Sequence, residues 1–428
     1  MLNRTYVVVA VCAAAFFLTW NHGAAEAPPA QLSSQIFSYL DEPDVGKAEQ
    51  TLQVLIAASE ATIEEVRRVI QTGRSYGSQP VGTLPEERIV VRDRTYQYAL
   101  SVPLTYQPAK GYGLVVCLHG AGFTGEAYLD RWQSRLGDEY VLVCPTYPAG
   151  AWFTRRAEDL VLAVIRAVQS RYHIDADRIF LTGMSNGGIG AWLIGMHHAP
   201  MFAGLAPMAS GLDDVLMPFL ANLRNTPIYI IHGAKDQVMP VDLSRSISRE
   251  LAALGYPHIY REHEREHPMA GGHYFPREEL PDLVTWLNRQ RRNPLPTRLT
   301  VVREASHFQP FSWIRLETTD PIAAFSEDLI NKRDEQIKGR EYAKLDATIT
   351  ATNRIEVKAE RVQRYSLFLN DQLIDVAKPL TVVTNGDVSF EGTVTPSIET
   401  LLRQARLRQD PRQLFSIQLT ITVRKQPA

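Results

Sequence analysis

Residues 178–188, RIFLTGMSNGG, say more about the fold of this chain than any other stretch of its sequence. The first five residues, RIFLT, predict a buried strand, and the run GIGAWLIGM at 188–196 predicts a helix. Between them, Gly183 to Gly187 match the pattern G-x-S-x-G with Ser185 at the centre. Glycines suit a sharp turn in which side chains would clash with the strand and the helix. The segment therefore predicts a nucleophile elbow, which presents a serine hydroxyl at the carboxyl edge of a sheet.

Apolar runs on both sides of this turn indicate the rest of the sheet. Buried strands are predicted at residues 114–118, 140–144 and 227–231. Helices are predicted from their periodicity at residues 157–172, 189–196 and 278–292. Alternation of apolar and polar residues at 88–103 predicts an antiparallel strand pair that turns at Asp93 and Arg94. We therefore expect an α/β protein with a mostly parallel, doubly wound sheet covered by helices on both faces.

Two residues that follow later elements are placed to activate Ser185. A serine hydroxyl needs a base to remove its proton, and the base needs an acid to orient it. Asp236 follows the strand at 227–231, at the edge where parallel sheets bind ligands, and His273 follows two glycines before the last helix. The chain order serine, acid, histidine is one known order for such triads. Ser185, Asp236 and His273 are therefore the predicted catalytic residues.

Backbone N–H groups near the serine are expected to form an oxyanion hole. Asn186, directly after Ser185, is expected to supply one of them. The loop after the first buried strand is expected to supply the other from Ala121, with Gly122 or Phe123 as alternatives. Small residues in that loop allow its backbone to approach a substrate carbonyl.

Four segments together carry a resemblance to a known family. They are VVCLHGAG at 115–122, RYHIDADRIFLTGMSNGG at 171–188, IHGAKDQVMP at 231–240 and GGHYFP at 271–276. Residues 89–292 resemble the secreted serine esterases of the α/β-hydrolase superfamily, which include polyhydroxybutyrate depolymerase-like proteins, feruloyl esterases and phospholipase/carboxylesterase-type proteins. The resemblance implies the α/β-hydrolase fold, with nucleophile, acid and base at Ser185, Asp236 and His273. Tyr274-Phe275 departs from the tryptophan that depolymerase-like members have before the proline, which bears on the polymer substrate.

Further segments lie outside this unit. An apolar run at 6–20 follows Arg4 and precedes small residues, a pattern that predicts a signal peptide and a secreted or periplasmic protein, with an uncleaved anchor as the alternative. The predicted divisions are a signal peptide at 1–27, a helical N-terminal extension at 28–80, an α/β-hydrolase domain at 81–293 and a C-terminal β-rich domain at 294–428.

Composition restricts the expected partners. The 428 residues contain 45 Lys and Arg against 47 Asp and Glu, so a net charge of −2 provides no global attraction for nucleic acid or an anionic membrane surface. Three cysteines exclude a disulfide scaffold, and Cys117 and Cys144, both in predicted strands, are expected to be buried free thiols. We expect no metal, no organic cofactor and no stable membrane insertion after signal cleavage, and a small-molecule or polymeric ester as the partner.

Several histidines suggest competing interpretations. His263 to His267 read HEREH and match the zinc motif H-E-x-x-H, which requires a helix. The segment alternates like a strand instead, and strand positions four apart lie roughly 13 Å from each other, too far to share an ion. We interpret it as a polar strand or loop and keep His267 as the alternative catalytic histidine. His119 and His232 are interpreted as packed residues at strand ends.

The remaining candidate functional residues are two groups of aromatic side chains and the charged residues at the start of one helix. A possible acyl or aryl pocket, with a core position as the alternative, consists of Tyr147, Trp152 and Phe153. A possible polymer-binding face, whose alternating spacing favours a sheet core, consists of Trp313, Tyr365 and Phe368. The start of the helix at 157–172, including Arg155, Arg156 and Glu158, is interpreted as solvated.

The predicted function is that of a secreted serine hydrolase that cleaves carboxylic esters through an acyl-enzyme intermediate. Three alternatives stay open: a serine peptidase of the prolyl-oligopeptidase type, with the same fold and chain order, a non-catalytic binding protein with a hydrolase fold, and metal-dependent hydrolysis.

Overall fold

The computed structural model describes residues 30–58, 60–133, 136–324, 334–350 and 353–424. The predicted signal peptide at 1–27 lies outside these residues. Among the helices of the described residues, none combines the length and the apolar character needed to cross a membrane.

Three helices begin the described chain, within the segment at 28–80 that was predicted to be helical. They are α1 (Ala30–Asp41), α2 (Val45–Ala58) and α3 (Ile63–Thr72). The start of α3 is stabilised by a capping box, in which the Thr62 hydroxyl accepts the Glu65 N–H and the Glu65 carboxylate accepts the Thr62 N–H.

An eight-stranded sheet follows these helices. Its strands are β1 (Gly82–Val91), β2 (Arg94–Val102), β3 (Tyr112–Leu118), β4 (Tyr140–Pro145), β5 (Ile174–Met184), β6 (Gly204–Met208), β7 (Ile228–Gly233) and β8 (His258–His263). Their spatial order is β1-β2-β4-β3-β5-β6-β7-β8. β1, β2 and β4 pair antiparallel, whereas all pairs from β4 to β8 are parallel. The predicted mostly parallel sheet is therefore confirmed.

Helices cover both faces of this sheet. They are α4 (Gly125–Gln133), α5 (Arg155–Arg171), α6 (Asn186–His197), α7 (Val241–Leu254) and α8 (Leu280–Arg289). Strand β3 shows the two faces: Leu114 and Val116 pack in the core that contains α5, α6 and α7, whereas Val115 and Cys117 pack with α4 and α8. A continuous apolar run is needed because side chains alternate between faces and both faces are buried.

A β-rich region follows the eight-stranded sheet. Its elements are β9 (Arg298–Arg303), β10 (Ile314–Thr319), α9 (Asp334–Lys338), β11 (Ala343–Thr350), β12 (Arg354–Glu360), β13 (Val362–Leu369), β14 (Leu380–Thr384), β15 (Asp387–Gly392), α10 (Ile398–Arg408) and β16 (Ile417–Thr422). The strands form one sheet in the order β15-β14-β12-β11-β9 and another in the order β10-β13-β16. Asn385 and Gly386, both with positive φ, make the tight turn between β14 and β15 that Asn-Gly predicts.

The β-rich region contacts both of the other parts of the chain. Apolar side chains of α1, α2 and α3 pack against Leu401, Leu402 and other residues of α10, so the N-terminal helices complete a core with the C-terminal region. The side chain of Asn222, which lies between β6 and β7, hydrogen-bonds to both the N–H and the carbonyl of Val302 in β9. This amide occupies the free edge of β9, which would otherwise present unpaired backbone groups.

Several elements lie outside the sequence-based predictions. β6, α4 and α7 were not predicted, and helix α8 ends at Arg289 rather than at residue 292. The predicted domain boundaries at 80/81 and 293/294 stay predictions. Cys117 and Cys144 are buried free thiols on neighbouring strands, as expected, and burial raises the pKa of Cys144 well above its usual value.

Candidate active site

Ser185 occupies the tight turn that its motif predicts. It lies between β5 and the first residue of α6, with φ 58° and ψ −125°. Such a conformation is rare for a residue with a side chain and costs about 1–3 kcal/mol. The Ser185 N–H donates to the carbonyl of Met208 at the end of β6, 3.0 Å away. This hydrogen bond ties the strained turn to the neighbouring strand, so the serine is held at the carboxyl edge of the sheet.

Close backbone packing explains the glycines on either side of Ser185. A Cβ on Gly183 would lie 2.3 Å from the Gly187 carbonyl oxygen. A Cβ on Gly187 would lie 2.0 Å from the carbonyl oxygen of Leu118 in β3. Both obstacles are backbone atoms, which have no free rotation to move away. Any side chain at these two positions would therefore displace the elbow or the strand beside it.

Asp236 and His273 form a hydrogen-bonded pair. His273 Nδ1 lies 2.7 Å from Asp236 Oδ2, and the Asp236 side chain is fully buried. Asp236 Oδ1 accepts the N–H groups of Val238 at 2.9 Å and Met239 at 2.8 Å. Because the carboxylate is fixed by two backbone amides, it fixes the orientation of the imidazole in turn. This leaves His273 Nε2 as the nitrogen available to a reacting group.

Two further glycines allow the loop that carries His273 to reach the turn that carries Asp236. A Cβ on Gly233, the last residue of β7, would lie 2.2 Å from the Gly272 carbonyl oxygen. A Cβ on Gly272 would lie 2.5 Å from the backbone nitrogen of Asp236. The two backbones are thus in direct contact, which places His273 beside its carboxylate partner.

Ser185 and His273 line the same cavity, which has a volume of about 820 Å³. Its aromatic lining comes from the loop after β3, from α4 and from the segment that follows His273. These residues are Phe123, Tyr128, Trp132, Tyr274 and Phe275. Helix α4 was not predicted, although Tyr128 and Trp132 stand four positions apart, a spacing that places two side chains on one helix face.

The loop after β3 lines the same cavity as Ser185 and carries Ala121, one of the two residues predicted to form an oxyanion hole. Ala121 lines the cavity, and Asn186 is the first residue of α6, whose N–H has no acceptor within the helix. The Gly120 N–H donates to the Tyr128 hydroxyl at 3.0 Å, and burial raises the pKa of Tyr128 to about 12. The phenol therefore stays protonated and anchors the loop that carries Ala121. Sequence analysis did not identify this tyrosine.

The competing histidines occupy other positions. Strand β8 ends at His263, and the HEREH segment continues as a loop, so the two histidines do not share a helix face. His267 lines the cavity, but its Nδ1 accepts the N–H of Met269 at 3.1 Å, and Asp236 pairs with His273 instead. His119 and His232 are fully buried and hydrogen-bonded, and burial lowers the pKa of both, in agreement with a packing role.

The aromatic clusters belong to the core. Trp152 is fully buried and its indole N–H donates to the His119 carbonyl at 2.7 Å. Of the two interpretations of Tyr147, Trp152 and Phe153, the structure supports the core position, because all three pack in or against the core and other aromatic residues line the cavity. Trp313, Tyr365 and Phe368 are fully buried as well, which agrees with the sheet-core interpretation.

The interpretation of Glu158 as part of a solvated helix start is wrong. Its carboxylate is buried beside three imidazoles, those of His197, His198 and His307. These partners are 39, 40 and 149 residues away in the chain, so local sequence pattern could not reveal them. Charge–charge attraction to His198 and hydrogen bonds from the imidazoles hold the pKa of Glu158 well below its usual value, against the opposing effect of burial.

The sheet order, the serine elbow and the buried aspartate–histidine pair define the α/β-hydrolase fold. No protein-family model matches the chain. Among curated proteins, a probable feruloyl esterase C of Aspergillus terreus is 29% identical over an alignment 179 positions long, which covers 39% of this chain and 63% of that protein. Acyl-protein thioesterase 1 of Gibberella zeae is 25% identical over an alignment 229 positions long, which covers 44% of this chain and 95% of that protein.

Solved structures with similar folds carry related names. A thermostable esterase is 26% identical with a TM-score of 0.42, covering 49% of this chain and 64% of its own. A ferulic acid esterase is 17% identical with a TM-score of 0.40, covering 49% of this chain and 99% of its own. The predicted resemblance to esterases is confirmed by the curated relatives, although the chain spans less than two thirds of the length of the first of them.

Proposed function

We propose that this chain is a secreted serine hydrolase that cleaves carboxylic esters, with Ser185, His273 and Asp236 as nucleophile, base and acid. The observation that carries the proposal is the 2.7 Å contact between His273 and Asp236 at a cavity that Ser185 also lines. The relatives named feruloyl esterase support ester chemistry.

In the first half of the proposed reaction, Ser185 Oγ attacks the carbonyl carbon of the ester. His273 Nε2 accepts the hydroxyl proton as the carbon–oxygen bond forms, and Asp236 stabilises the resulting imidazolium. The N–H groups of Asn186 and Ala121 donate to the oxyanion of the tetrahedral intermediate. When the intermediate collapses, the ester bond breaks and the imidazolium protonates the departing alcohol.

In the second half, water releases the acyl group. His273 Nε2 removes a proton from the water as its oxygen attacks the acyl carbon, and the same two N–H groups donate to the new oxyanion. Collapse of this intermediate breaks the bond to Ser185 Oγ, which takes the proton back from the imidazolium. The products are a carboxylic acid and the regenerated serine.

The rim of the cavity indicates the substrate class. Phe123, Val238 and Met269 line the cavity and are 44%, 63% and 89% exposed. The Arg131 guanidinium lies 4.7 Å from the ring centre of Phe123, so it covers part of that ring while its charge stays in solvent. Exposed apolar side chains beside a cavity mark a surface that binds apolar ligands. We therefore assign esters with an aromatic or apolar acyl group to this site.

A substrate panel tests the proposal. Wild-type protein is expected to hydrolyse p-nitrophenyl and feruloyl esters and to leave aminoacyl-naphthylamides uncut, and a fluorophosphonate probe is expected to label Ser185. Polyhydroxybutyrate in the same panel measures action on a polymer. Preferential cleavage of the naphthylamides would instead establish the peptidase alternative, and failure of the probe to label Ser185 would establish the binding protein.

Tyr128→Phe tests the role assigned to the Tyr128 hydroxyl. The change leaves the Gly120 N–H without its buried acceptor and frees the loop that presents Ala121. We expect kcat for a p-nitrophenyl ester to fall about 10-fold with little change in KM, since one oxyanion donor is worth ~10²–10³-fold and here is only displaced. Tyr274→Phe, which removes a hydroxyl from the same cavity, is the matched control. Equal kcat losses in both variants would contradict the assignment.

The signal peptide at 1–27 is part of the same proposal, as are the domain boundaries at 80/81 and 293/294. The small residues Gly23, Ala24, Ala25 and Ala27 suit cleavage after Ala25 or Ala27. N-terminal sequencing of the protein exported by a bacterial host is expected to begin at residue 26 or 28. A product that stays in the membrane fraction with its first residues intact would establish an uncleaved anchor instead.

A further inference from the structure

A second imidazole lies beside the proposed catalytic acid. His232 is the next-to-last residue of β7 and stands four positions before Asp236 in the chain. The side chains of both residues are completely buried. His232 does not line the cavity that contains Ser185, so it does not touch a substrate bound there. Any part that it takes in hydrolysis therefore has to act through another residue.

The Nε2 atom of His232 faces two hydrogen-bond acceptors. It lies 2.9 Å from the Met239 carbonyl oxygen and 3.3 Å from Asp236 Oδ2. A carbonyl and an ionised carboxylate have no proton to donate. Nε2 must therefore carry the proton itself. The resulting N–H donates to the Met239 carbonyl and lies beside the Asp236 carboxylate.

The other ring nitrogen of His232 contacts a serine of α7. Ser244 Oγ lies 2.7 Å from His232 Nδ1 and 2.8 Å from the Ser210 carbonyl oxygen. Burial lowers the pKa of His232, against the opposing effects of the Met239 carbonyl and the Asp236 charge, so the ring is neutral above about pH 7. A neutral ring with its proton on Nε2 is an acceptor at Nδ1, and the Ser244 proton is shared between that nitrogen and the carbonyl. The partners on both sides thus fix the tautomer.

The His232 N–H completes the surroundings of the Asp236 carboxylate. Oδ1 accepts the N–H groups of Val238 and Met239, and Oδ2 lies 2.7 Å from His273 Nδ1. A buried carboxylate needs donors around both oxygens, because water cannot compensate its charge. The His232 N–H lies beside Oδ2, the oxygen that faces His273. It therefore stabilises the negative charge there and limits rotation of the carboxylate.

The same imidazole also holds the turn that carries Asp236. Met239 is fixed from two directions, since its N–H donates to Asp236 Oδ1 and its carbonyl accepts the His232 Nε2–H. The turn at 236–239 is thus tied both to its own first side chain and to the end of β7. Without the His232 donor, only the first of these two ties remains.

We propose that His232 is a positioning residue, whose Nε2–H holds the turn at 236–239 and the Asp236 carboxylate in the orientation that His273 requires. This inference rests on the proposed function, since it takes Asp236 and His273 as the acid and the base. Misplacement of a catalytic group by about 1 Å can lower a rate on the order of 100-fold. Because His232 lies outside the cavity, its loss is expected to lower kcat and to leave KM in place.

Two substitutions of His232 separate the effects of its two ring nitrogens. A glutamine amide nitrogen is three bonds from Cβ, like Nε2, whereas an asparagine amide nitrogen is two bonds from Cβ, like Nδ1. His232→Gln therefore retains a donor toward Met239 and Asp236, and His232→Asn retains a polar group only toward Ser244. We expect His232→Asn to lower kcat for a p-nitrophenyl ester by about 10–100-fold with KM within ~2-fold, and His232→Gln to recover most of that loss. Equal kcat losses in the two variants, or a loss below ~3-fold in His232→Asn, would overturn the proposal.

A double variant shows whether the effect passes through Asp236. Asp236→Ala removes the carboxylate that His232 is proposed to hold, and loss of the acid of a serine triad lowers kcat on the order of 10⁴-fold. We expect no further decrease when His232→Asn is added to Asp236→Ala, because residues that act as a unit are not additive. A further decrease of about 10-fold or more in this background would show that His232 acts independently of Asp236 and would contradict the assignment.

His258→Asn is the matched control. His258 also contacts a serine of α7, with its Nε2 3.0 Å from Ser248 Oγ. It is the first residue of β8, which pairs parallel with β7, so it lies at the end of the sheet opposite to the catalytic edge. We expect kcat of this variant to stay within ~2-fold of the wild type. Circular dichroism and melting temperatures of all variants show whether each is folded.

Neutron diffraction from wild-type crystals exchanged into D₂O tests the proposal without any variant and without an activity. We expect deuterium on His232 Nε2, directed at the Met239 carbonyl oxygen, and deuterium on Nδ1 alone would overturn the proposal. This measurement decides the question if the His232 variants fail to fold. Wild-type protein that leaves the ester intact would refute the proposed function, whereas an active wild type with a fully active His232→Asn variant would refute only the role of His232.

Discussion

Ser185→Ala is expected to abolish ester hydrolysis while leaving the fold intact. The change removes only the serine hydroxyl group. The backbone at this position, with φ 58°, is held by the hydrogen bond to Met208 and by the close glycine contacts around the elbow. Loss of the nucleophile of a serine triad lowers kcat by on the order of 10⁵–10⁶-fold, and a residual rate above that in water comes from the oxyanion hole and binding. The measurement is kcat/KM for a short p-nitrophenyl ester.

The control for this variant is a serine outside the site. Ser170 is exposed on α5, and its hydroxyl donates to the Ala167 carbonyl of the preceding turn. Ser170→Ala is expected to keep full activity, and the circular dichroism and melting temperature of both variants are expected to match the wild type. Turnover by Ser185→Ala within about 100-fold of the wild type would show that another group attacks the ester.

His273→Ala is expected to lower kcat nearly as much as loss of the serine. Without the imidazole, Ser185 keeps its proton, and the buried Asp236 carboxylate loses the partner that lies 2.7 Å away. Members of a triad act as a unit, so we expect a decrease on the order of 10⁵–10⁶-fold and no further decrease when Ser185→Ala is added. Stopped assays at high enzyme concentration measure the residual rate.

His267→Ala is the matched comparison for this histidine. Both imidazoles line the cavity, but only His273 contacts Asp236, whereas His267 Nδ1 accepts the Met269 N–H of its own loop. We expect His267→Ala to change KM modestly and kcat by less than about 10-fold. The reverse ranking, with the larger kcat loss in His267→Ala, would assign the base to His267.

The elements that the sequence predicted well are those with continuous local patterns. Strand β3 is apolar at every position because both of its faces are buried, so its run of residues is visible without any knowledge of its neighbours. The role of Gly183 and Gly187 was predictable for the same reason, since the turn that they permit is made by residues adjacent in the sequence. Helix α4 was missed because it is only nine residues long, which gives its apolar residues fewer than three turns over which to repeat.

Side chains that work through distant partners could not be predicted. Tyr128 anchors the Gly120 N–H eight residues away, a link that requires the loop to fold back on the start of α4. Glu158 looks like an ordinary charge near a helix start, yet it is buried because His307 arrives from the β-rich region. For the aromatic residues at 147–153 the sequence left a pocket and a core position open, since nothing in it shows that Trp152 packs against His119.

By itself, the sequence determined the parallel sheet, the serine turn and the order of the candidate catalytic residues, because each depends on residues that are neighbours in the chain or on strand ends that meet at one edge. Only the tertiary structure decided which histidine faces Asp236, which aromatic residues surround Ser185, and where Glu158 finds its partners. These features depend on contacts between segments up to 149 residues apart. Their free energies come from packing and charge pairing across the folded molecule, which leave no pattern in the local sequence.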